Sequence, residues 1–136
     1  MSAAHQRYLR ELLDKSHQLA RQALAADLLT QVPAGCDFGF DDTSDVSAVV
    51  WKKEPPHDLL VLRLGSRAGA NMPWDFAHEL GHVLIGHKPE LLRDRAHERA
   101  AWNEGWKLIV SLVPNTASAF KDEYERRRDH CLKSYP

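Results

Sequence analysis

Long apolar runs are missing from this sequence. No stretch approaches the ~20 residues that a helix needs to cross a bilayer, which excludes a helical membrane span. The opening residues, MSAAHQRYLRELLDK, carry no apolar core of a secretory leader, so the expected compartment is the cytoplasm. Cysteine is scarce: Cys36 and Cys131 are the only two, far apart and in no C-x-x-C pair. That argues against a disulfide framework and for reduced thiols. A charge excess is missing too. Eighteen Lys and Arg stand against 19 Asp and Glu, a net charge of -1, and such a balance draws neither nucleic acid nor an anionic membrane. Internal repeats and low-complexity segments are absent. What remains is a chain of 136 residues, 43% hydrophobic and 27% charged. It has the length for one domain, residues 1–136, with a real core, and is too short for two.

Hydrophobic periodicity divides the chain into four blocks. From about Ala3 to Leu29 the apolar residues Leu9, Leu12, Leu13, Ala20, Ala23, Leu24 and Leu28 recur mostly three or four apart, which predicts an amphipathic helix ending before Pro33 and Gly35. GCDFGFDDTSD reads as a loop that Phe38 and Phe40 could anchor. VSAVVWKK and DLLVLRLG are β-prone runs separated by EPPH. Pro55 and Pro56 cannot sit inside a central strand, so these runs predict a short antiparallel sheet joined at the prolines. After Gly65 come a glycine-bearing loop and then helices to the end. Helix, small sheet, helices is the order of an α+β domain.

The stretch WDFAHELGHVLIGH, Trp74 to His87, holds the pattern His78-Glu79-x-x-His82. On a helix, residues i and i+4 share a face, so both imidazoles can reach one ion. Glu79 lies about 100° further round, near that ion without having to bind it. There it can take a proton from water and pass it to a leaving amine. Zinc suits such a site, because three protein ligands leave a fourth position open. Chance alone makes this triplet in roughly 3% of chains of such composition, so context must decide. Asn71 is placed to cap the helix, Pro73 to fill its first turn, and Asp75 to favour the positive end of its dipole. Gly86 and Pro89 end it. Phe76, Ala77, Leu80, Val83 and Leu84 would bury much of it, and buried polar groups need partners.

A third ligand is required. His87 falls five residues after His82, and the glycine falls at four, so the metzincin pattern, with glycine at three and histidine at six, fails. Glu98 opens ERAAWNEGWKLIVSLVP, whose apolar face reads Ala101, Trp102, Gly105, Ile109 and Leu112. It lies one turn before Ala101 and Trp102, on that same face. Ala101 and Gly105 are small enough for this helix to pack closely against the histidine-bearing one. Glu104 and Asp94 stay open as alternative ligands, and His87 as a surface or outer-shell residue.

With these residues in place, the chain resembles the ImmA/IrrE family of zinc metallopeptidases. AHELGHVLIGH, Ala77 to His87, resembles that family's active-site helix. Glu98 to Ala101 and the run Leu112-Val113-Pro114 resemble its second helix. The likeness spans about Leu59 to Pro114. It implies a small zincin-like domain with zinc on His78, His82 and Glu98, and with Glu79 as the general base of peptide hydrolysis. It implies a protein substrate, with a transcriptional repressor or other regulator as the candidate. An edge strand beside the metal, DLLVLRLG, would pair with extended peptide. Members often carry a helix-turn-helix domain, for which the single N-terminal helix leaves no room. No direct nucleic-acid contact is expected, and KDEYERRRDH, Lys121 to His130, reads as a solvated helix face. The competing class is a non-catalytic, metal-stabilised regulatory binding module, against which an intact Glu79 speaks.

Overall fold

The computed structural model describes the backbone of residues 3–33, 36–41, 48–54, 57–65, 71–86 and 94–135, and the side chains of 3–4, 18–33, 71–86 and 94–135. The first helix, α1 (Ala3–Leu29), follows the predicted periodicity. Its Leu24 and Leu28, one turn apart, are fully buried, while Leu19 and Leu29 face outward. Full burial of a leucine contributes about 1.5–3 kcal/mol, so among the described side chains this pair anchors the C-terminal part of α1.

Helix α2 (Met72–Ile85) is enclosed: every residue from Pro73 to His82 is buried. Asp75 is among them, and the Arg127 guanidinium donates from Nε and Nη2 to its two oxygens, each at 2.9 Å. The ion pair crosslinks α2 to the last helix, a stronger role than the dipole contact expected of Asp75. Gly86 ends α2 in the left-handed region, φ 78°, with its N–H reaching the carbonyls of His82 and Val83, as glycine permits at low cost. Asn71 does not cap as expected. Its backbone is already helical, φ -85° and ψ -8°, and its side chain makes no cap bond. A capping side chain reaches back only from extended backbone.

Helix α3 (Arg95–Leu112) starts on Asp94, whose extended backbone lets its side chain accept from Ala96 N–H at 2.7 Å. Helix α4 (Ala117–Leu132) buries Ala117, Phe120, Tyr124 and Leu132. The solvated face expected there is real, since Lys121, Asp122 and Arg126 are exposed. The other face binds the fold together, because Arg21 on α1 donates to both oxygens of Glu123 at 2.6 and 2.7 Å.

The α+β expectation is corrected. All residues with described side chains lie in the four helices or in their caps and turns, and the core they enclose is all-helical. The physical reason is that the described core side chains, from Leu24 to Leu132, all come from the four helices and pack on one another. Between Pro33 and Asn71 only backbone is described, and only in part. It runs through three short extended segments, β1 (Cys36–Asp41), β2 (Ala48–Glu54) and β3 (His57–Gly65). They are ordered β1-β3-β2, with β1 parallel and β2 antiparallel to β3. DLLVLRLG is therefore flanked on both sides along its backbone, and the edge-strand role expected for it is lost. Loop-like GCDFGF is likewise extended at Cys36–Asp41. The side chains of Phe38, Phe40 and Trp51, and all of His87, lie outside the described residues. Among the described residues, no helix is long and apolar enough to cross a membrane.

An aromatic cluster fills the space between α2, α3 and α4. Tyr124 meets Trp74, Trp102 and Trp106 at ring separations of 6.1, 5.2 and 5.3 Å. Its hydroxyl donates to the Trp102 carbonyl at 2.5 Å. Beside this cluster α2 and α3 touch backbone to backbone. A Cβ added at Gly81 would lie 2.1 Å from the Ala101 carbonyl oxygen, and one at Gly105 would lie 2.6 Å from that of Ala77. Neither obstacle is a flexible side-chain tip, so a methyl group at either position must drive the helices apart. Gly81→Ala and Gly105→Ala are each expected to cost about 1–3 kcal/mol of stability, read as a lower thermal midpoint by circular dichroism. An unchanged midpoint for Gly81→Ala would show that the helices are not in backbone contact.

Candidate metal centre

The helix contact just described dictates the site. His78 and His82 flank Gly81 on α2, and Glu98 stands one turn before Ala101 on α3. Backbone contact at Gly81 and Ala101 therefore brings the three side chains to one point. Glu98 Oε2 lies 2.7 Å from His78 Nε2 and 3.0 Å from His82 Nε2, and the two Nε2 atoms are 3.0 Å apart. His78, His82 and Glu98 are 7%, 2% and 2% exposed, so water contributes little to their solvation.

Three polar atoms converge here with at most two protons to share. If both imidazoles point N–H at Oε2, two donors face each other at close range, and a cation in place of those protons would satisfy all three at once. Two imidazole nitrogens and a carboxylate oxygen form a donor set that zinc takes, with bonds of about 2.0–2.2 Å. Tetrahedral bonds of that length separate the ligand atoms by about 3.4 Å. Each edge of the triangle needs to open by only about half an ångström, so the residues fit the ion.

The surroundings hold these side chains in place. His78 lies flat on the Trp102 indole, ring centres 4.2 Å apart and planes within 5°. On its other nitrogen, Nδ1 stands 3.3 Å from Glu79 Oε1. Burial pulls the His78 pKa down, but the charge and hydrogen bond of Glu79, and those of Glu98, outweigh it and raise the value to about 9. Burial likewise opposes ionisation of Glu98, and the hydrogen bonds from His78 and His82 overcome it, bringing that carboxyl down to about 2. The metal-free site thus holds an ionised carboxylate beside a protonated imidazole.

The sequence-derived candidates sort cleanly. His78, Glu79, His82 and Glu98 come together. Glu79 brings an oxygen within 4.8 Å of the two histidines' ligand atoms. It is nonetheless Glu98, touching both Nε2 atoms, that closes the triangle, and contact outweighs membership of a wider group. Asp94 is spent on its cap and on His97, 3.3 Å away, and Glu104 is partly exposed and faces Lys107 at 3.7 Å. Trp102, expected as core, proves to be the wall against His78. Its place four residues after Glu98 on the same helix face was the signal for that role. Tyr135 gave no sequence signal. It sits on the turn after α4, its hydroxyl pKa raised by burial and by the charges of Glu98 and Glu79. Cys131 is a free thiol, half-buried, and burial pushes its pKa up, in keeping with an unreactive side chain.

Because His78 holds a proton up to about pH 9 in the metal-free protein, an incoming ion must displace it. Metal binding at pH 7 is expected to release about one proton per ion, and affinity should rise with pH until His78 is neutral. Calorimetry in two buffers of different ionisation enthalpy measures this; identical heats would contradict the protonated site.

Comparison with protein-family models, with curated proteins and with solved structures finds no match to this chain. What characterises the centre is its own donor set: two histidines one turn apart on one helix, a glutamate from the helix packed against it, and a second glutamate beside them.

Proposed function

We propose that the protein is a zinc-dependent metallopeptidase that hydrolyses peptide bonds in a protein substrate. The observation that carries this reading is the presence of two buried carboxylates in different positions at one centre. Glu98 closes the ligand triangle through Oε2, while Glu79, 6% exposed, stands beside it without touching either Nε2 among the described contacts. Peptide hydrolysis needs both, one carboxylate to hold the ion and a second to move the proton.

His78, His82 and Glu98 would hold the ion. When bound, zinc supplies Lewis acidity, which acidifies water towards pKa ~7 and polarises a carbonyl. Glu79 accepts the proton that water loses as its oxygen attacks the scissile carbonyl carbon. Glu79 then delivers that proton to the nitrogen of the breaking C–N bond, which leaves as an amine and returns Glu79 to its ionised form. Trp102 keeps the His78 ring in one orientation and, with the neighbouring apolar side chains, limits access of bulk water. The likeness to the ImmA/IrrE family points to a regulator of transcription, such as a repressor, as the substrate class.

One observation favours a second reading. Glu79 Oε1 lies 3.3 Å from His78 Nδ1, the place of an outer-shell carboxylate that orients a ligating histidine. A metal-stabilised regulatory binding module would use Glu79 that way and would cut nothing. Glu79→Gln separates the two. The general-base role predicts that zinc affinity is kept while cleavage of a repressor substrate falls by a factor on the order of 10² or more. Retained cleavage would overturn that role. A loss of zinc affinity on the order of 10- to 100-fold would assign Glu79 to the outer shell.

A further inference from the structure

One face of the charged stretch Lys121 to His130 lines a cavity. Glu123, Arg126, Arg127 and His130 are spaced so that each lies three or four residues from the next, which puts them on one side of α4. Asn71, just before the first residue of α2, completes the described lining. The cavity measures about 450 Å³ and opens to solvent, a size that suits a small organic molecule. Its lining shares no residue with the metal centre.

Two of the charges in this wall are already balanced. Arg127 donates to both oxygens of Asp75, and Glu123 accepts from Arg21 on both of its own. Arg126 is the charge left over. Its Nε donates to the Asp122 carbonyl of its own helix at 3.3 Å, and its Nη groups meet no carboxylate among the described residues. The Asn71 side chain makes no cap bond, so its amide is uncommitted as well. His130 is exposed one turn after Arg126 and adds a ring nitrogen. Donors from two helices thus border one space that carries an uncompensated positive charge.

We propose that this cavity binds a small organic molecule through a phosphate or carboxylate group, held by the Nη edge of Arg126 with Asn71 and His130 beside it. The flat edge of a guanidinium meets two oxygens of such a group at once. Glu123 would repel an anion if it stood alone, and the Arg21 pair removes that obstacle. A cationic ligand meets the opposite balance, because the one carboxylate among the described lining residues has both oxygens taken.

The test follows backbone amide shifts by NMR as the metal-free full chain is titrated, at low ionic strength, with phenyl phosphate, benzoate and uncharged benzyl alcohol. Phenyl phosphate or benzoate is expected to shift the amides of Asn71 and of the Glu123–His130 stretch saturably, and benzyl alcohol to leave them still. The tighter of the two anions identifies the group that the cavity takes. Arg126 is exposed, so Arg126→Ala keeps the fold, and it should weaken that anion about tenfold or more. Arg99→Ala removes the same charge from an exposed position on α3 outside the lining and should leave affinity unchanged. No saturable shift with either anion, equal shifts with benzyl alcohol, or equal weakening by the two substitutions would overturn the site. The titration needs no metal, so its failure leaves the reading of the metal centre untouched.

Discussion

The backbone contact between α2 and α3 is the constraint on which the rest depends. Ala77 and Gly81 lie one turn apart on α2, and Ala101 and Gly105 one turn apart on α3. They meet crosswise, Gly81 on Ala101 and Gly105 on Ala77. With no side chain at Gly81 or Gly105, the helices meet backbone to backbone, a closer approach than larger residues allow. Imidazole and carboxylate side chains are short, and two helices at ordinary spacing would leave His78, His82 and Glu98 facing one another across a gap. At this spacing their tips touch. The small residues hold the ligand distances as firmly as the ligands themselves do.

The same closeness creates the electrostatic problem that the site solves. Five ionisable side chains, Asp75, His78, Glu79, His82 and Glu98, are buried within 24 residues of sequence. Burying a charge is costly unless it is paired. Asp75 is neutralised by Arg127 from α4. The other four have one another, which leaves two carboxylates to be balanced by two imidazoles. A divalent cation at the convergence point would balance those carboxylates. Trp102 lies flat on His78 with Tyr124 packed against it and Trp74 beyond, which keeps water from that side and strengthens these interactions.

The centre was legible in the sequence because its determinants are local. His78 and His82 at i and i+4 share a face on any helix, and Glu98, Ala101 and Gly105 share one on the next, so periodicity alone aligned them. Helix ends with a dedicated residue were also legible, as at Gly86. The fold class was not. VSAVVWKK and DLLVLRLG carry β propensity, but propensity does not say which elements enclose a core, and the described core is built from helices. Nor does it give strand order, so a run expected at an edge lies between two partners. Asn71 has the side chain of a cap without the backbone for it, and tertiary context decides that difference. Tyr135 could not be read at all. Its tie to Arg95 spans 40 positions and leaves no periodic trace.

X-ray absorption at the zinc edge on zinc-loaded protein tests the central claim most directly, because it reports which atoms bind. The account predicts about one zinc per chain with nitrogen and oxygen neighbours at about 2.0–2.2 Å and the scattering pattern of two imidazoles. Replacing Glu98 with Ala should remove the oxygen neighbour and leave the imidazoles. A shell of sulfur at about 2.3 Å, a single imidazole, or a spectrum unchanged by the loss of Glu98 would contradict it.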